Sequence, residues 1–131
     1  MTTWHDKEKF KARVLEWAAR LDVRTRSLTV RPMRNKWASC STAGNLNFNA
    51  EMLALDREIG DYVIVHELLH FSVPNHGRLW RSLMRAHLGE YELPEKRLHA
   101  AASIHLSVLY AKRVKLNSNI SAHHELYDEP K

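Results

Sequence analysis

Between Trp4 and Leu21 the apolar side chains Phe10, Val14, Trp17, Ala18 and Leu21 recur at intervals of four, three, one and three. Lys7, Lys9, Lys11, Arg13 and Glu16 fall elsewhere around the circle, so the segment carries the apolar stripe of an amphipathic helix. From Arg24 to Met33 the period shortens. This stretch alternates about Leu28 and Val30 and is rich in β-branched residues, which predicts a strand; Pro32 places its end at an edge or a bulge. Asn35 to Ser41 and Leu46 to Asn49 read as two further strands joined at Thr42–Asn45, where Gly44 and Asn45 can supply the positive φ of a tight turn. After a short helical or irregular connection at 51–55, Gly60 and Asp61 are expected to open a helix over YVIVHELLHF. Asp61 would be its N-cap, and Pro74 stops it. A helix over Gly77–Leu88 follows, with Leu79, Trp80, Leu83 and Leu88 inward. Pro94 suits the first turn of a last helix, which carries Leu98, Ala101, Ala102, His105 and Leu109 towards Lys115. From Asn117 onward the chain is polar and aperiodic. The order predicts one α+β domain over residues 1–116 and a polar tail over 117–131. Its parts are an N-terminal helix, a small antiparallel sheet of about three strands, and then helices.

Composition narrows the class. In 131 residues, 44% are hydrophobic and 27% charged, which excludes a disordered or fibrous chain and leaves room for one domain. A single cysteine, Cys40, excludes an internal disulfide framework. No apolar run approaches the roughly 20 residues that span a bilayer, so no membrane partner is expected. The N-terminal MTTWHDKEKF lacks the apolar core of a signal peptide, and the expected location is the cytoplasm. The formal charge of +5 permits a polyanionic partner. Arg20, Arg24, Arg26, Arg31, Arg34 and Lys36 face only Asp22 in the stretch 20–36. Such arginines on a strand resist edge-to-edge aggregation, and that reading is favoured over a stripe that tracks phosphates.

The chemistry concentrates in His66-Glu67-Leu68-Leu69-His70, an HExxH string on a predicted helix. At 100° per residue, histidines four apart lie within about 40° of one another, so both imidazoles can reach one metal. Glu67 stands beside that metal, where a carboxylate can take a proton from a bound water. Chance alone places about 0.05 such strings in a chain of this composition, so context decides. Val63, Ile64, Val65, Leu68, Leu69 and Phe71 make this helix apolar on nearly every side, which buries it. Imidazoles and a carboxylate buried there need a compensating charge, and a dication supplies one. The bland reading is a core helix whose His and Glu find ordinary hydrogen-bond partners.

A catalytic zinc site takes three protein ligands, so a third is required. His76 lies six residues past His70, the spacing of the last histidine in HExxHxxGxxH, although Val73 occupies the glycine position. Pro74-Asn75 can reverse the chain instead, Asn75 tolerating a left-handed conformation. Glu90, Glu92 and Glu95 are the rival ligands, and spacing favours His76. Tyr62, Arg78, His87 and Tyr91 are near enough in sequence to donate to a developing oxyanion. Cys40, between two serines, suits a structural role better than a nucleophilic one. Met84 and Trp37 read as core, as does His105. His99 and His105 are too far round a helix to share a metal, and His123-His124 falls in the tail.

The run WASCSTAGNLNFNAEML, followed by DYVIVHELLHFSVPNHGRLW, resembles the YgjP-like metallopeptidase domain family. Trp37, Ser39, Cys40 and Ser41 match its first motif and Leu46 and Asn49 its strand. His66, Glu67, His70, Asn75, His76 and Trp80 match the remainder. Ala38 stands where the family has glycine, and His76-Gly77-Arg78-Leu79-Trp80 is similar to the His-Gly-x-x-Trp of SprT-like (Spartan-type) proteases. The resemblance implies a zincin-like minimal metallopeptidase fold. It implies one Zn²⁺ per chain on His66, His70 and His76, and Glu67 as the catalytic base. The implied activity is zinc-dependent hydrolysis of a peptide or protein by a metal-bound water. The peptide would lie along a strand at 28–31 or 46–49. Two alternatives stand beside it: a DNA-associated protease or nucleic-acid-binding module, and a metal-dependent hydrolase of nucleotide phosphoanhydrides.

Overall fold

A computed structural model describes Trp4 and residues 6–34, 36–73, 75–105 and 124–125. Helix α1 (Lys7–Leu21) starts after Asp6, whose carboxylate accepts a hydrogen bond from the Glu8 amide at 2.8 Å. Trp4, just ahead of this cap, packs edge-on against Phe10 with ring centroids 5.3 Å apart and fixes how the chain enters the helix. Phe10, Val14, Trp17 and Ala18 are buried, the stripe expected from the sequence. Asp22 adopts a left-handed conformation (φ 57°) to end the helix.

The strands are β1 (Ser27–Arg31), β2 (Ala38–Cys40) and β3 (Asn45–Asn49), with β4 (His124–Glu125) from the tail. They lie in the order β1-β3-β2-β4. The β2–β3 hairpin forms as expected, and Gly44 alone supplies the positive φ (99°) of its turn. The Gly44 carbonyl also accepts from the Arg26 amide at 2.7 Å, which ties the turn to the start of β1.

One expectation is corrected here. β1 pairs with β3 in parallel, Ser27 opposite Asn45 through Arg31 opposite Asn49, so the sheet is mixed rather than antiparallel. The reason is the crossing at 32–37. The chain passes over β3 before returning as β2, and two reversals leave β1 and β3 pointing the same way. Buried Asn49 holds that crossing, its amide donating to the carbonyls of Met33 (3.0 Å) and Lys36 (2.9 Å). The α+β architecture itself is as expected.

A 3₁₀ turn (Ala50–Ala54) leads into α2 (Arg57–Leu69). This helix opens at Asp56, whose side chain accepts from the Glu58 amide at 3.3 Å, and not at Asp61. Asp61 lies one turn inside and has another task. Its Oδ1 accepts from Arg13 Nε (2.8 Å) and Trp17 Nε1 (2.9 Å), clamping α1 to α2. Gly60 is a packing glycine. A Cβ there would stand 2.4 Å from Trp4 Nε1.

Helix α3 (Arg78–Leu88) buries Trp80 and Met84. Leu79, expected inward, is 61% exposed, because it falls about 100° round the helix from Trp80, beyond the half-buried Leu83 margin of the stripe that Met84 and Leu88 continue. Helix α4 (Glu92–His105) has Pro94 in its first turn and buries Leu98. The continuation towards Lys115 lies outside the described residues, as do the His123 position and most of the tail. No helix among the described residues is long and apolar enough to cross a membrane.

Gly60→Ala is expected to cost about 1–3 kcal/mol through overpacking against Trp4, read as a lower urea midpoint with an unchanged m-value.

Candidate metal centre

Ten residues of α2, from Ile59 to Leu69 with only Asp61 excepted, are buried, so the helix runs through the core rather than over it. His66 and Glu67 therefore sit at 1% and 0% exposure. His70 is the last cap of the helix, and the backbone tightens after it: the amides of Ser72 and Val73 both return to the Leu69 carbonyl. This turn carries the chain back so that His76 faces His66 and His70. The Asn75 side chain accepts from the Gly77 amide at 3.1 Å and aims the chain into α3. Arg81 donates to the His76 carbonyl at 3.2 Å and fixes the loop from the other side.

Each of the three histidines offers one ring nitrogen, and these nitrogens lie within 4.8 Å of one another. His70 Nε2 and His76 Nε2 are 2.7 Å apart. Four-coordinate zinc with bonds of about 2.0–2.1 Å spaces its ligands by about 3.3 Å. The spacings seen here bracket that value, so the donor set fits a tetrahedral divalent ion with a position to spare. Among the described residues this is the only such cluster of His, Cys, Asp or Glu. The rival glutamates are engaged elsewhere or lie outside the cluster. Glu92 pairs with Arg85, Glu95 accepts from Tyr62 Oη at 3.0 Å, and Glu90 is exposed.

The surroundings prepare the ligands. His70 Nδ1 lies 3.0 Å from the Val73 carbonyl, which can only accept, so the proton sits on Nδ1 and Nε2 presents its lone pair. Glu67 Oε2 stands 3.5 Å from His66 Nδ1, inside the same dry pocket. Trp80 covers all three imidazoles. Its ring lies 4.2 Å from His76, 5.2 Å edge-on to His66, and 5.9 Å from His70 with the planes only 17° apart. Imidazoles that give electron density to a cation become more positive, and an indole face favours that state. Trp80 follows His76 by four residues, one helical turn, so its contact was legible in the spacing. The Val73 carbonyl was not, because a backbone acceptor leaves no mark in side-chain identity.

The four sequence-derived oxyanion donors separate. Tyr62 is buried with its ring 5.6 Å from His66, and Tyr91 is buried 6.0 Å from Trp80. Burial, with Glu92 and Glu95 nearby, pushes the Tyr91 phenol up and keeps it a donor. Arg78 is exposed at the start of α3. His87 lies at the far end of that helix, edge-on to Trp17 at 6.2 Å. It lines a groove of about 460 Å³ with Arg13, Asp61 and Glu90 that contains none of the three clustered histidines.

Strand β2 backs the site. Cys40 Sγ is 3.8 Å from the Glu67 carbonyl, and burial, then the charge of Glu67, push its thiol up and hold it protonated. Of the two strands expected to take a bound peptide, 46–49 is excluded by the sheet order, since β3 is paired on both edges, whereas β1, which holds 28–31, meets no strand on its second edge among the described residues.

Residues 2–101 match a family model described as the YgjP-like metallopeptidase domain. A solved structure, the metallopeptidase zymogen jannalysin of Methanocaldococcus jannaschii, is similar with a TM-score of 0.62 and 28% identity. The match covers 72% of this chain and 96% of that one. No curated protein matches the chain.

Replacing Trp80 by Leu is expected to weaken divalent-metal binding about tenfold or more, whereas Trp80→Phe keeps most of it; competition against a chromogenic chelator measures both. Cys40 should resist a thiol reagent in the native protein and react once urea unfolds it, and fast labelling of the native chain would contradict its placement.

Proposed function

This chain belongs to the YgjP-like metallopeptidase domain family, and on that premise we propose that it is a zinc-dependent peptidase whose metal is held by His66, His70 and His76. The observation that carries the reading is the convergence of three imidazoles beside a fully buried carboxylate, a group that a dry core does not tolerate without a cation nearby. Zn²⁺ bound there supplies a Lewis acid that polarises a scissile carbonyl and acidifies water.

The chain's own residues do the rest. Glu67, adjacent in sequence to one ligand and enclosed by apolar side chains, takes the proton of the attacking water on its carboxylate and returns it to the leaving amine nitrogen. The Val73 carbonyl keeps His70 in the tautomer that ligates. Trp80 excludes water from the ligand side, and Tyr62, whose ring lies 5.6 Å from His66, is the candidate donor to an oxyanion formed there. The domain occupies residues 1–116 in this reading, and peptide or protein is its substrate class.

Glu67→Gln should keep one equivalent of zinc and lose turnover of a peptide library by about 10³-fold or more. His66→Ala, His70→Ala or His76→Ala should each lose the zinc, while Glu90→Gln, Glu92→Gln and Glu95→Gln keep it; elemental analysis of the purified variants decides. Running a nucleotide panel beside the peptides, with and without chelator, tests the bond cleaved. Chelator-sensitive release from nucleotides, with peptides untouched, would overturn the peptidase reading.

A further inference from the structure

The sheet has two unlike sides. Val30, Ala38, Leu46 and Phe48 are buried towards the helices. The residues that alternate with them, and that the register places side by side, are Ser27 and Asn45, Thr29 and Asn47, and Ser39 opposite Asn47. Arg31 completes the outward positions of β1 and β3, which carry hydroxyls, amides and a guanidinium, while at the far edge the register sets Glu125 opposite buried Ser39. At the sheet's other rim runs β1, a terminal strand whose second edge meets no other strand among the described residues.

The charge is gathered at the same rim. Arg24 and Arg26 precede β1, Arg31 ends it and Arg34 follows it, all four exposed. None of them has a carboxylate partner among the described residues. Elsewhere the pattern differs: Arg13 is paired with Asp61 and Glu16, Arg85 with Glu92, and Arg97 with Asp56 and Glu58. Four guanidiniums with no carboxylate partner among the described residues, neutral Ser, Thr and Asn groups, and outward strand amides are the three donor classes that grip phosphate oxygens.

We infer that the β1 rim and the outer side of the sheet bind the phosphodiester backbone of a duplex nucleic acid without reading its sequence. No exposed aromatic side chain lies among these positions to stack an unpaired base, and no helix projects from them into a groove. Exposed Leu15, Leu79 and Leu93 belong to α1, α3 and α4, so nothing apolar is offered to a membrane on this side. β3 separates the rim from β2, and β2 backs the metal centre through Cys40 on the helix-facing side of the sheet, so a duplex on the outer side leaves that centre free.

A labelled duplex of mixed sequence titrated with the full chain tests this. Four phosphate contacts give a log–log salt slope of about −3.5, close to a hundredfold loss of affinity between about 50 and 200 mM salt. The combined variant Arg24→Gln, Arg26→Gln, Arg31→Gln, Arg34→Gln should abolish the slope. A control removing the same charge elsewhere (Lys7→Gln, Lys9→Gln, Lys11→Gln, Lys96→Gln) should retain it. Arg24→Gln with Arg34→Gln, both outside the strands, should leave a slope of about −2. Binding should survive chelation, and both combined variants should keep their zinc, which separates this surface from the metal centre. Equal loss in the two combined variants would reduce the effect to net charge and overturn the proposal. Absence of salt-dependent binding would do the same, as would tighter binding to polyglutamate or to phosphatidylserine vesicles than to the duplex.

Discussion

Everything else in this molecule is arranged around a buried helix that carries two imidazoles and a carboxylate. Glu67 is fully enclosed and His66 almost so. Transfer of such groups from water is unfavourable by several kcal/mol unless a charge compensates them. The site exists because the rest of the chain makes that burial tolerable. β2 shields one flank of α2, the turn at 71–73 folds back to hold His70, and α3 brings Trp80 across the three rings. A divalent ion suits a pocket built in this way, and the donor set accommodates one.

The scaffold that holds α2 is modest. α1 is fastened to it by the Arg13–Asp61–Trp17 cluster on the wet side and by the Trp4–Gly60 contact at its end. Asn49, fully buried, fixes the crossing that makes β1 parallel to β3. That crossing has two functional consequences. It closes both edges of β3, and it sends β1 to the rim farthest from β2, where exposed Arg24, Arg26, Arg31 and Arg34 collect. A backbone chosen by one amide side chain thus separates the metal centre from the basic surface.

Much of this was legible in the residues. The periodicity of α1, the hairpin with Gly44 at its turn, and the HExxH helix follow from local rules, since each depends on neighbours within a few positions. His76 was singled out by spacing, and the structure brings its ring to those of His66 and His70. The misreadings were of competition between equivalent signals. Asp56 and Asp61 are both good caps, and only the approach of Arg13 and Trp17 from α1 shows which one is used otherwise. Leu79 and Trp80 are both apolar, and the helix can face only one of them towards the core.

The sequence by itself determined the elements and the chemistry of their side chains: a buried helix with two histidines one turn apart, a glutamate beside the first, and a third histidine within reach. Those are short-range properties, set by a period of about 3.6 residues and by the donor atoms present. Tertiary structure alone decided the parallel pairing of β1, the Val73 carbonyl that sets the tautomer of His70, and the rival glutamates' other engagements. Each of these depends on groups brought together by long-range packing, and several are backbone atoms that every residue possesses. No pattern of side-chain identities can mark them in advance.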